Sequence, residues 1–195
     1  MPNVIVEKNM ARYSKEERLA RARTRAKQTV YALINASNGR LVGKLRLYKA
    51  FYKAHLEYFE ATGLDLTGYP MVHMPNGPGI DNAQELIDEL MDEGLIREEI
   101  GTPDRPKERV YTCVGQMDED ADDERAEAIR SAVAWANALD EEALKDGSHN
   151  RSWNETLPGE AQNIFLDAVP EDRLDGLRND LEKTAKTLKD LAARR

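Results

Sequence analysis

The chain has 195 residues, 33% of them charged and 41% hydrophobic, with a formal net charge of −8. That length holds one full core and a small appendage, and the balance is that of a polar globular chain. The single cysteine, Cys113, excludes an intrachain disulfide, and no Cys/His pair has zinc-ligand spacing.

Few thiols and no disulfide fit a reducing compartment. Residues 1–27 carry no apolar run of signal-peptide length and no later stretch is long enough to span a bilayer, so a soluble, cytoplasmic protein is expected. The charge is unevenly placed, +10 over residues 1–53 and −18 over the rest. Such asymmetry describes a basic arm and an acidic body, which face each other, a partner, or only solvent.

Residues 1–13 show no pattern. Ser14 with Glu17 is a capping box, and a helix is expected from there to about Ala36. Its first half, Lys15 to Lys27, is basic, and Arg12, Lys15, Arg18, Arg21, Arg23, Arg25 and Lys27 form a dense patch. Its second half, Val30 to Ile34, is core-like, and Asn38-Gly39 ends it. A second helix is expected over Lys44–Thr62, where Leu45, Tyr48, Tyr52, Leu56 and Phe59 make an apolar stripe that Phe51 and His55 widen. Residues 67–79 read as loop or extended chain, punctuated by Pro70, Asn76-Gly77 and Pro78.

Asp81 is a good N-cap for a third helix burying Leu86, Ile87, Leu90 and Met91, closed by Gly94. Residues 95–100 and 109–114 read as two strands joined as a hairpin. An acidic linker at 117–123 caps a helix expected over about 122–139, and residues 146–158 read as irregular. The last helix starts at Pro170 and runs towards Arg195, with Leu174, Leu177, Leu181, Thr184, Leu188 and Leu191 at heptad spacing. The expected fold is mainly α: a compact helical domain with one β-hairpin, winged-helix-like, and a long C-terminal helix. The expected units are a basic arm at 1–29, the helical domain at 30–168 and an amphipathic helix at 169–195.

Three segments together resemble the Panacea domain of SocA-like antitoxins. The run Lys44-Leu45-Arg46-Leu47-Tyr48-Lys49-Ala50-Phe51-Tyr52-Lys53-Ala54-His55 is similar to the family's Lys-Leu…Leu-Tyr helix. Asn76-Gly77-Pro78-Gly79-Ile80 is similar to its Gly-Pro turn, and Ser148-His149 with Trp153 to its Thr-His…Trp element. Order and approximate spacing agree over about residues 30–168. Gly79 stands where the family usually has Val, and Ser148 where it has Thr. The resemblance implies a mainly helical domain that neutralises a toxin protein by direct contact, with Leu45, Tyr48, Tyr52, His55, Gly77, Pro78, His149 and Trp153 as structural motif residues.

Each motif also has a plain structural explanation. Aromatic residues at helical spacing normally fill a core, and His55 then becomes a hydrogen-bonded core histidine. Gly77-Pro78-Gly79 lacks the preceding strand and the Lys-Ser/Thr pair of a phosphate loop, and reads as a turn. Adjacent Ser148 and His149 point apart and have no orienting acid, so a loop anchored by Trp153 is the better reading. The acidic pairs lack a calcium-loop pattern.

The helix before the hairpin, residues 81–93, carries six acidic side chains and no Lys or Arg, so phosphates would repel it from a nucleic-acid groove. No coherent catalytic, cofactor or metal site emerges, and the protein is not expected to be an enzyme. The expected partner is a protein toxin, met by Arg18, Arg21 and Arg25 of the arm and by Lys44, Arg46, Lys49 and Lys53 of the second helix. A homodimer through the C-terminal helix is the expected self-association. A nucleic acid gripped by the arginine-rich helix is the alternative.

Overall fold

The computed structural model describes residues 13–101, 107–117 and 122–192; in the last helix the described side chains are those of 172, 173, 175, 176 and 180–186. Most of the lead at 1–13, most of the link between the hairpin strands and the acidic run 118–121 lie outside the described residues. So do Arg12 and the side chains of Leu174, Leu177, Leu188 and Leu191.

Helix α1 (Lys15–Ala36) begins at the capping box: the Glu17 amide donates to Ser14 Oγ at 3.1 Å and the Ser14 amide to Glu17 Oε2 at 2.7 Å. It passes residue 29 without a break and already buries Ala22 and Ala26, so the basic segment is part of the folded body and not a separate arm. A short strand, β1 (Arg40–Val42), leads into α2 (Lys44–Thr62). Along α2, Leu47, Tyr48, Ala50, Phe51, Tyr52, Ala54, His55 and Leu56 are buried, nearly the whole circumference of the helix. Leu45 and Phe59, counted in the expected stripe, are only half-buried. A helix apolar on most sides must be enclosed on most sides, and α2 is the centre of the molecule.

Residues 67–79 are more ordered than expected. Strands β2 (Met71–Met74) and β3 (Gly77–Ile80) form a hairpin in the register Met71↔Ile80 and Met74↔Gly77, with Pro75-Asn76 as its two-residue turn. Gly77, at φ 93°, supplies a conformation that other residues reach only with strain. Helix α3 (Ala83–Asp92) follows, with Asn82 and not Asp81 at its N-cap; the Asp81 amide donates to the Pro70 carbonyl at 3.2 Å, extending the β2–β3 pairing.

Strands β4 (Ile96–Ile100) and β5 (Arg109–Cys113) make the expected hairpin, and β1 adds to it in the order β1–β5–β4. The order along the chain is helix, strand, helix, hairpin, helix, hairpin, with β1 paired to β5, so the architecture is mainly α with a few strands. Helix α4 (Asp123–Ala138) is capped by Asp122, whose Oδ1 accepts from the Arg125 amide at 2.7 Å, and packs along α2.

Helix α5 (Glu141–Asp146), capped by Asp140, follows; the stretch 146–158, expected to be irregular, holds a short helix, α6 (Arg151–Glu155), and a 3-10 turn comes after it at Ile164–Asp167. Helix α7 (Glu171–Ala192) ends the chain's described part. Among the described residues no helix is long and apolar enough to cross a membrane.

Candidate functional site

Helix α1 presents two basic faces with different fates. Arg23 and Lys27 turn inward to α3. Arg23 bonds Glu89 at 2.5 Å and Glu85 at 3.0 Å, and Lys27 bonds Glu89 at 3.0 Å and Glu93 at 2.5 Å. Hydrogen bonds from Arg23 to Glu89 and Glu85 raise the Arg23 pKa. Burial lowers that of Lys27, but its bonds with Glu93 and Glu89 outweigh this and raise it. Basic helix and acidic helix thus meet inside one chain. Arg18, Arg21 and Arg25, at spacings of three and four, share another face and are exposed, with the Arg21 guanidinium 3.7 Å from the centre of the Tyr13 ring.

The four basic residues expected to meet a partner from α2 are engaged inside the molecule. Arg46 reaches the C-terminal end of α4, where Nη1 donates to the carbonyls of Ala136 and, at 3.2 Å, Leu139. A guanidinium there complements the negative end of the helix. Lys53 pairs with Glu57 at 2.8 Å, and Lys44 lies half-buried with Nζ 3.5 Å from Gln84 Oε1.

Lys49 is the clear correction: it is 1% exposed, with Nζ donating to the Pro78 carbonyl at 3.1 Å. Burial, and then the charge of Lys145, lower its pKa to about 7. A lysine is almost never buried without a charge partner, and this one is not exposed on the outer surface that a protein partner would cover.

Around Lys49 the segments 44–55, 76–80 and 148–153 come together. A Cβ on Gly77 would run into Lys49 Nζ and would lie 2.7 Å from Ser148 Oγ and 2.9 Å from His149 Cδ2, so only a glycine lets these groups close on the turn. Trp153 Nε1 donates to the Met74 carbonyl at 3.0 Å. Its ring is stacked between His149, at 4.0 Å, and His73, at 4.6 Å. His149 also hydrogen-bonds the Asn76 backbone; burial and the nearby Lys49 lower its pKa, and its Nε2 is buried with no hydrogen-bond partner. Beside this cluster lies a cleft of about 250 Å³. Lys44, Leu45, Tyr48 and Lys49 line one side and residues 74–78 the other.

A second network ties the same helix to the C-terminal part. Tyr52 OH donates to Asp167 Oδ2 at 2.7 Å and accepts from Asn150 Nδ2 at 3.0 Å. Ser152 gives Asp167 both its amide and its hydroxyl, at 2.7 and 2.6 Å. Burial raises the Tyr52 pKa. His55 is fully enclosed. Nδ1–H donates to the Phe51 carbonyl and Nε2 accepts from the Thr67 hydroxyl, each at 2.9 Å; this tautomer follows because a carbonyl only accepts.

Sequence reasoning passed over Asp167, His73 and the burial of Lys49. For Lys49 a signal existed, since the run Leu47 to Leu56 is apolar on both sides of it. For Asp167 there was none. Among the described residues no three His, Cys, Asp or Glu side chains are grouped to hold a metal ion. No family model, no curated protein and no solved structure matches the chain.

Proposed function

We propose that this chain is an antitoxin-like protein, cytoplasmic and not an enzyme, that neutralises a partner toxin by direct protein–protein contact. The observation that carries the reading is the meeting of residues 44–55, 76–80 and 148–153 around Gly77. Segments that far apart in sequence share a pattern when they share one structural task, and this supports the likeness to the Panacea domain.

The partner-facing surface is then the exposed arginine face of α1. Arg18, Arg21 and Arg25 line it. A toxin with an acidic surface is the complement. Helix α7, on which Leu181 is 69% exposed, is the seam for a second copy in this proposal.

The test is an affinity pull-down of the tagged chain from its host, with and without nuclease, read by mass spectrometry. The expected result is one stoichiometric protein that survives nuclease, that stops growth when expressed alone, and that is released when Arg18, Arg21 and Arg25 become Ala. The same exposed arginines favour one other reading, a nucleic-acid-binding regulator. Nucleic acid recovered with a steep salt dependence, and lost in that triple variant, would replace the antitoxin reading.

A further inference from the structure

We propose that the cleft between α2 and the β2–β3 turn is a binding site for a small monocarboxylate with an apolar body, whose carboxylate would be the missing counter-ion of Lys49. The proposal stands apart from the antitoxin reading and does not need it.

Its basis is charge and shape. Lys49 lies at the buried edge of a cleft of about 250 Å³, just below the ~300–1,000 Å³ of sites for drug-sized ligands. Lys44 lines the same wall, and the lining contains no Asp or Glu. The charged groups near Lys49 are positive or titrate to positive: Lys145 from α5, and His149 from the loop after it, with His73 on β2 beyond the Trp153 ring. The acid in this region is Asp146, which acts on His149.

The Pro78 carbonyl is the hydrogen bond that Lys49 Nζ makes, and an ammonium has three hydrogens to give. A buried cation without an anion is an unfavourable arrangement that one carboxylate relieves. Leu45, Tyr48, Met74, Pro75 and Pro78 give the rest of the cleft an apolar wall, suited to a hydrocarbon or aromatic stem and not to a sugar or a phosphate chain.

Burial lowers the amine's pKa to about 7, and a bound carboxylate selects the ammonium. Binding therefore takes up a proton, and affinity falls about tenfold for each pH unit above neutrality.

The experiment is calorimetric titration of the full chain with phenylacetate, with its neutral isostere phenylacetamide, and with inorganic phosphate, below and above neutral pH, repeated with Lys49→Met. The expected result is saturable binding of phenylacetate with proton uptake, no binding of the amide, the stated loss of affinity at alkaline pH, and loss of binding in Lys49→Met. Equal binding of the amide, preference for phosphate, retention in the folded Lys49→Met variant, or no saturation at millimolar phenylacetate would each overturn the proposal. Should Lys49→Met fail to fold, the contrast between acid and amide and the pH slope decide it on the unaltered protein.

Discussion

Gly77 lets three long-range neighbours close on the turn by having no side chain. Gly77→Ala combines a left-handed backbone with a collision against Lys49, Ser148 and His149. It is expected to cost about 2–4 kcal/mol, read as a shift in urea midpoint at unchanged slope. Lys49 works the other way. Its folded-state pKa, about 7, lies below the ordinary 10.5, so between those values the unfolded chain binds more protons and stability rises with pH. Lys49→Met removes that penalty. Its gain over the unaltered protein should be a few kcal/mol at and below neutrality, and should shrink towards zero as pH approaches 10.5. Thermal melts of both proteins across that range measure it. His55 has the same sign at lower pH. Burial holds the ring below its ordinary 6.5, against the opposing Phe51 carbonyl and Asp65. Stability should therefore fall as pH drops through 6.5, and His55→Gln should flatten that part of the profile.

At the scale of elements, the joint between α1 and α3 rests on Arg23 and Lys27 against Glu85, Glu89 and Glu93. These side chains are up to about half exposed, so solvent screens them and the joint is worth little per pair. Reversing the central charge with Glu89→Lys should cost about 1–2 kcal/mol at low salt, less at high salt. Arg23→Glu in the same chain should recover part of it, and a double-mutant cycle of denaturation midpoints reads the coupling. The joint also bears on the expected winged-helix-like element, because the glutamates of α3 hold α1. Both helices were legible from their own residues: the Ser14/Glu17 box starts α1 and the Leu86, Ile87, Leu90 face defines α3. Their pairing was legible only as an imbalance of charge. Residues sixty and more positions apart form it, and no local pattern chooses between an internal partner and an external one.

For the whole molecule, α7 is the element to test. A lone helix of this length is marginal in water unless it docks, and the described side chains at 180–186 are exposed. With a second copy as the proposed occupant, Leu181→Asp combined with Leu188→Asp should halve the mass found by light scattering and lower the melting temperature. Unchanged mass and unchanged melting would remove the seam from the proposal. Asp167 joins α2, α6 and the 3-10 turn, and Asp167→Ala leaves Tyr52 and Ser152 without this acceptor. A loss of about 2–3 kcal/mol in equilibrium unfolding is expected.

By itself the sequence determined where the long helices and the β4–β5 hairpin lie. Caps, glycine stops and apolar spacing act within a few residues, and such local terms survive in any fold that contains them. It also marked the Gly-Pro turn and Trp153 as punctuation. Only the tertiary structure decided which way each charged side chain of α2 faces. Lys49 and Lys53 are one turn apart in similar surroundings; one is buried against a carbonyl 29 residues away and the other pairs with Glu57 on its own helix. The same holds for β1, for the β2–β3 hairpin and for Asp167, whose bond to Tyr52 spans 115 residues. Their energy comes from partners that the chain brings close only when it folds, so nothing in their own sequence neighbourhood records it.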